Sequence, residues 1–187
     1  MYTVSDLRKG LTITIDGDPY VVTWFEFVKP GKGQALYRTR LRNTLTGAVI
    51  DKTFRSGETL EPASLDQRSM QFLYRQDDNY HFMDNQTYEQ LTIAEDALGD
   101  AKNYLIENMT VEVLFFRDRP IGVNVPTFVN LRVVKSQPWA KGDTSGADSK
   151  PVTLETGYVL RVPTFVVEGD LLQIDTRTGE YITRVKE

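Results

Sequence analysis

The chain has 187 residues, 40% hydrophobic and 26% charged, with a formal net charge of -4 and a sequence pI near 5.2, a balance ordinary for a soluble globular protein. It contains no cysteine, which excludes disulfides, thiolate metal sites and cysteine nucleophiles and fits a reducing compartment. The N-terminal residues 1–9 lack an apolar signal core and no stretch approaches the length of a membrane span, so a cytoplasmic chain with no membrane partner is expected.

In chain order, the first strong strand signal is residues 20–28, rich in β-branched and aromatic side chains, and the next is residues 35–41. Between them runs Lys29-Pro30-Gly31-Lys32-Gly33-Gln34. Pro30 fixes its own φ while Gly31 and Gly33 permit positive φ, so the segment is expected to turn tightly, with Lys32 at the tip of a hairpin. Arg38, Arg40 and Arg42 recur with period two and should share one strand face, leaving Tyr37, Thr39 and Leu41 on the other. No acid interrupts residues 27–44. A phosphate-binding P-loop would need Gly-Lys-Ser/Thr opening a helix, whereas Gln34 and a strand follow Lys32. A Schiff-base lysine would need an apolar pocket, and Lys32 sits among cations on an exposed turn.

Farther along, short strand signals are broken by turn dipeptides at Asp16-Gly17, Thr46-Gly47, Ser56-Gly57 and Thr178-Gly179, which suggests an all-β chain of small barrels. Boundaries fall at Glu61-Pro62-Ala63-Ser64 and near Val125-Pro126-Thr127, giving expected domains 1–63, 64–127 and 128–187. One helix is expected over residues 93–107, broken by Gly99. His81, the single histidine, lies in a strand-like segment and is expected to be structural. The paired acids Asp77-Asp78 and Glu95-Asp96 are assigned to solvated turns and a helix start. No Gly-x-Ser-x-Gly elbow occurs. Neither catalytic residues nor a metal site is therefore expected, and the strand aromatics are expected to point mostly into cores. Val-Pro-Thr-Phe-Val recurs at Val125 and Val162 but falls between barrels once and within one the second time, so it marks no domain repeat.

Charge separates the thirds: residues 1–63 hold 9 basic against 7 acidic groups, residues 64–128 hold 5 against 11, and residues 129–187 hold 8 against 8. The first third is thus the best nucleic-acid candidate despite the acidic whole, and a shaped RNA target fits better than bare duplex DNA. In the last third, residues 141–150 form a loop dense in glycine and small polar residues. Its glycines, hydroxyls and flanking lysines could approach a phosphate backbone. Strands expected at 131–135, 153–162, 171–175 and 181–185 around it suit an OB-type barrel.

Together these segments resemble the bacterial elongation factor P family, over essentially the whole chain. Residues 26–35, Glu26-Phe27-Val28-Lys29-Pro30-Gly31-Lys32-Gly33-Gln34-Ala35, are similar to that family's modified-lysine loop. Lys150-Pro151-Val152-Thr153-Leu154-Glu155-Thr156-Gly157, with Val162-Pro163 and Glu168-Gly169, is similar to its C-terminal signature. Gly142-Asp143-Thr144 resembles its loop that approaches messenger RNA. The resemblance implies an N-terminal SH3-like (KOW-type) barrel followed by two OB-fold barrels in an L-shaped, tRNA-like arrangement. It further implies a monomeric, non-enzymatic translation factor bound between the ribosomal P and E sites, stabilising peptidyl-tRNA and promoting peptide-bond formation at consecutive prolines.

On the same resemblance, Lys32 receives a covalent modification and meets the tRNA CCA end; no other cofactor is implied. Pro30, Gly31, Gly33 and Gln34 shape the loop. Lys29, Arg38, Arg40 and Arg42 contact RNA phosphates, and Gly142, Asp143 and Thr144 contact messenger RNA at the E site. The implied partners are the 70S ribosome with its rRNA and proteins, the P-site peptidyl-tRNA, messenger RNA and a lysine-modifying enzyme. The alternatives are an OB-fold protein binding free single-stranded nucleic acid, an enzyme using Lys32 as nucleophile, and an elongation-factor-P-like paralogue. The Pro-Gly-Lys-Gly tip argues against the paralogue.

Overall fold

A computed structural model describes residues 1–137 and 148–187. Strands dominate, as expected: β1 (Tyr2–Thr3), β2 (Thr12–Ile15), β3 (Asp18–Val28), β4 (Leu36–Asn43), β5 (Val49–Arg55), β6 (Thr59–Leu60), β7 (Asp66–Gln76), β8 (Asn79–Asp84), β9 (Gln90–Ala94), β10 (Thr110–Phe116), β11 (Arg119–Asn124), β12 (Phe128–Ser136), β13 (Ser149–Leu154), β14 (Val159–Pro163), β15 (Leu171–Asp175) and β16 (Glu180–Val185). The chain divides into two compact units, one of residues 1–67 and 114–121, the other of residues 68–113 and 122–187.

The first unit holds an antiparallel sheet in the order β2-β3-β4-β5 and a small β1-β6 pair. Asp16 and Gly17, both at positive φ, make the two-residue turn that joins β2 to β3, the geometry that matches the natural twist of paired strands. Val4, Leu7, Leu11, Ile13, Val22, Leu41, Phe54 and Leu60 close over one face of the sheet as its core. Ile13, Val22, Leu41, Phe54 and Leu60 arrive there on strands, and Val4, Leu7 and Leu11 on the segment that opens with the short 3-10 turn Val4–Asp6, whose Asp6 carboxylate accepts the Thr3 N–H at 2.9 Å.

In the second unit, β13, β14 and β15–β16 assemble about β12 in the order β14-β13-β12-β15-β16. A further sheet runs β11-β10-β7-β8-β9, in which residues 114–121 of β10 and β11 belong to the first unit. Val129, Leu131, Val133, Val152, Leu154, Val162, Leu172 and Ile174 fill the former, while Phe72 meets the edge of Phe82 with ring centroids 5.4 Å apart beneath the latter. The expected strand at 153–162 is in fact two, β13 and β14, joined through a turn in which Gly157 takes φ 88° and donates its N–H to Leu154.

The expected helix at 93–107 is shorter and starts later. Ile93 and Ala94 pair with Tyr80 and Asn79 as the end of β9, and α1 spans only Glu95–Leu98 before Gly99, at φ 56°, ends it and a 3-10 turn carries on to Asn103. Of the apolar residues whose spacing suggested the helix, Leu98, Ala101 and Leu105 are buried and Ala97 and Ile106 half-buried, but Ala94 is exposed, and the spacing could not separate one helix from a broken turn. Glu95, in the first turn where a carboxylate is favoured, is held 3.5 Å from both Arg75 and Lys102.

One turn recurs in each third of the chain. Asn43, Asp84 and Asp175 end their strands, and each side chain accepts backbone N–H groups of the residues that follow: Leu45 and Thr46, Gln86 and Thr87, Arg177. Three residues on, Thr46, Thr87 and Thr178 accept the N–H of Ala48, Glu89 and Glu180 at 3.3 Å. The position between is left-handed in all three, Gly47 (φ 78°), Tyr88 (φ 63°) and Gly179 (φ 77°). Asparagine and aspartate suit this use because their short side chains mimic a backbone turn. The bonds to Asp84 and the Arg177 guanidinium beside Asp175 hold both carboxyls below the usual range.

Candidate functional site

The β3–β4 hairpin carries the residues singled out by sequence. Its last pair is Val28 with Leu36, so residues 29–35 form the tip, and Lys29 to Gln34 are exposed with Ala35 half-buried at the base. Gly33 uses the conformational freedom expected of it, at φ 126° with Pro30 Cγ 3.6 Å from where a Cβ would stand. Gly31 does not adopt positive φ, so at Gly31 the missing side chain narrows the tip rather than permitting its turn. Gln34 anchors the loop through its Nε2, which donates to the Ser56 carbonyl at 2.8 Å, and beside it the Ser56 N–H donates to the Ala35 carbonyl at 3.0 Å. These bonds tie the base of the tip to the β5–β6 turn. Among the described residues no carboxylate pairs with Lys32.

Behind the tip, cross-strand register sorts the side chains. Arg38 lies opposite Glu26 and Thr53, Arg40 opposite Trp24 and Asp51, and Arg42 opposite Val21 and Val49, all on one outer face. Thr39 and Leu41 are buried on the other, with Tyr37 half-buried, as the period-two reading expects. Sequence reasoning counted acids only within the hairpin itself and so missed Asp51, whose Oδ1 lies 3.0 Å from Arg40 Nε and raises the pKa of that guanidinium. Arg55, opposite Leu36, joins the same face from β5.

Most strand aromatics are core-directed, as expected: Phe54, Phe72, Tyr80, Phe82, Phe115 and Phe116 are buried, and Tyr2, Tyr20, Tyr37 and Tyr181 pack against the cores. Trp24, Phe25, Phe27, Tyr74 and Phe128 are the exceptions and are exposed. On β3 this follows from geometry: β2 pairs only with residues 18–21, so the outer half of the hairpin extends past its neighbouring strand. His81 is packed as a structural residue. Its ring stacks on Tyr74 with centroids 4.4 Å apart, and its Nδ1 lies 3.1 Å from the Thr92 hydroxyl.

Lys150, one of the loop lysines expected near phosphate, is buried and lies on the same side of β13 as Val152 and Leu154, so it is not presented on an open surface. Gly142, Asp143 and Thr144 lie outside the described residues. Among the described residues no three His, Asp or Glu side chains converge as metal ligands would, and no helix is long and apolar enough to cross a membrane.

Three family sequence models match the chain: the elongation factor P KOW-like domain over residues 3–60, the elongation factor P OB domain over 65–123, and the elongation factor P C-terminal domain over 129–184. The chain is 64% identical over 186 residues to a protein of Geobacter sulfurreducens named elongation factor P 2, covering 100% of both. It is 58% identical over 187 residues to an elongation factor P of Desulfotalea psychrophila, again over 100% of both. Among solved structures, a translation initiation factor 5A from Methanococcus jannaschii is 25% identical, with a TM-score of 0.40 over 66% of this chain and 92% of that one.

Proposed function

The chain belongs to the elongation factor P family, and on that footing we propose that it acts on the ribosome with Lys32 as its working group. As a translation elongation factor it binds between the P and E sites in the cytoplasm, as three parts, 1–63, 64–127 and 128–187. The first presents the tip toward the CCA end of the P-site tRNA. Proline is a poor peptide-bond substrate because its ring restricts the backbone, and holding peptidyl-tRNA in reactive geometry removes an orientation cost. The ribosome supplies the chemistry; this chain supplies a placed cation and is not itself an enzyme.

The observation that carries this reading is the exposure of Lys32 at the apex of a hairpin whose base Gln34 and Ala35 fasten to Ser56. A lysine side chain spans roughly 6 Å, and a covalent extension by a modifying enzyme lengthens that reach and adds donors. Pro30, Gly31 and Gly33 keep the tip slender enough to pass between RNA backbones. Lys29, Arg38 and Arg42 grip phosphates behind it, Arg40 acts from its pair with Asp51, and Gly142, Asp143 and Thr144 meet messenger RNA.

Lys32→Ala should abolish the factor's stimulation of a consecutive-proline reporter while leaving the fold and most ribosome affinity intact. Intact mass and peptide mapping of natively expressed protein should show a discrete adduct on Lys32. Full stimulation by Lys32→Ala would refute the assignment.

A further inference from the structure

Trp24 stands on the outer face of the hairpin because of a single extra residue. Val22 is fully buried opposite Leu41, and strict alternation along β3 would return Trp24 to that same inner side. Instead the register slips between Val22 and Trp24. Thr23 is the residue left over, its hydroxyl donating to the Arg40 carbonyl at 3.1 Å. A β-bulge of this kind re-aims the side chain that follows it, and here it turns the indole outward, directly across from Arg40, where 47% of Trp24 is exposed.

The surroundings of that indole select its partner. Arg38, Arg40, Arg42 and Arg55 lie on the same face, where the described strand residues across from them carry the carboxylates of Glu26 and Asp51, and Asp51 is already paired with Arg40. An exposed aromatic ring among guanidinium groups is the chemistry of unpaired nucleic acid: the cations meet phosphates and the ring takes the face of a base. An apolar protein surface would find those charged neighbours costly to desolvate.

We propose that Trp24 is a base-stacking residue for single-stranded RNA whose end lies at Lys32. Trp24 lies four residue steps before Val28 at the base of the tip, about 14 Å at the usual rise, so the stacked base lies a few nucleotides back from the end that Lys32 reaches. This rests on the reading of Lys32 given above, and it adds a contact that fixes where along the strand the RNA sits.

The test uses the full chain on 70S ribosomes carrying a P-site peptidyl-tRNA. Trp24→Ala should raise the concentration needed for half-maximal synthesis of a proline-stretch reporter about tenfold, the scale of one lost stacking contact, whereas Trp24→Phe should stay within about threefold of the parent because it keeps a ring. Circular dichroism matching the parent establishes that both variants are folded. With p-benzoylphenylalanine in place of Trp24, photolysis should attach the chain to tRNA. Crosslinking to a ribosomal protein instead, a Phe variant as weak as the Ala variant, or an Ala variant as active as the parent would each overturn the proposal. Failure of the Lys32 reading shows separately, as full activity of Lys32→Ala.

Discussion

Gly179→Ala should loosen the C-terminal barrel far more than its counterpart Gly47→Ala loosens the N-terminal sheet, although both glycines end the same kind of turn. Their φ values are 77° and 78°, so the conformational cost of adding a side chain, about 1 kcal/mol, is common to both. A Cβ at Gly47 meets nothing within 4 Å, whereas at Gly179 it would stand 2.5 Å from the Tyr158 hydroxyl and 3.2 Å from that of Tyr104. Tyr158 donates to the Gly179 carbonyl at 3.0 Å and stacks edge-on against Tyr104 at 5.6 Å, so it cannot retreat without losing both contacts. Displacing it adds about 1 kcal/mol for the hydrogen bond and about 1 kcal/mol for overpacking. The total is roughly 3 kcal/mol against 1, a difference of about thirtyfold in the opening equilibrium. Amide hydrogen exchange along β15 and β16, set beside exchange along β4 and β5, reads the two opening constants separately. Adding Tyr158→Phe to Gly179→Ala should recover part of the loss. Equal destabilisation by the two glycine variants, or no relief from Tyr158→Phe, would refute the reasoning.

Two further outcomes are expected. Tyr88 holds the left-handed position of the middle turn at φ 63° with 71% of its surface exposed, so Tyr88→Gly should protect β8 and β9 amides by about 1 kcal/mol more than the parent; unchanged or weaker protection would mean that the tyrosine side chain contributes more than its exposure suggests. Asp51→Asn should release Arg40 for phosphate, steepening the dependence of ribosome affinity on salt by about one counterion. An unchanged slope would place Arg40 away from RNA.

The hairpin is legible in sequence because its signals are local. Pro30 and Gly33 set the turn while Gly31 keeps it narrow, and two-residue alternation places Arg38, Arg40 and Arg42 together. The partners of those arginines are not legible, since Asp51 and Arg55 reach the face only through β4–β5 register. Trp24 escapes for a related reason: a bulge at Thr23 reverses the parity of everything after it, and nothing in Val22-Thr23-Trp24 announces it. The recurring turn leaves a trace in sequence, an Asn or Asp followed three residues later by Thr, but only Thr46-Gly47 and Thr178-Gly179 stand out as turns. Tyr88 hides the third copy by occupying a position where glycine is the usual signal. Around Ile93, a helical spacing and the end of a strand share the same apolar residues, and pairing with Tyr80 decides between them.

The fastening of Gln34 and Ala35 to Ser56 bears on how quickly and how tightly the tip can engage. A loop of free chain must surrender about 1 to 2 kcal/mol of backbone entropy for each residue it orders on binding. With its trailing side already tied, this tip leaves little beyond residues 29–33 to be ordered. In the role proposed for Lys32, less of its contact energy is then spent on freezing the loop, and more remains for the partner. Severing the tie at Gln34 should therefore weaken engagement while leaving Lys32 in place.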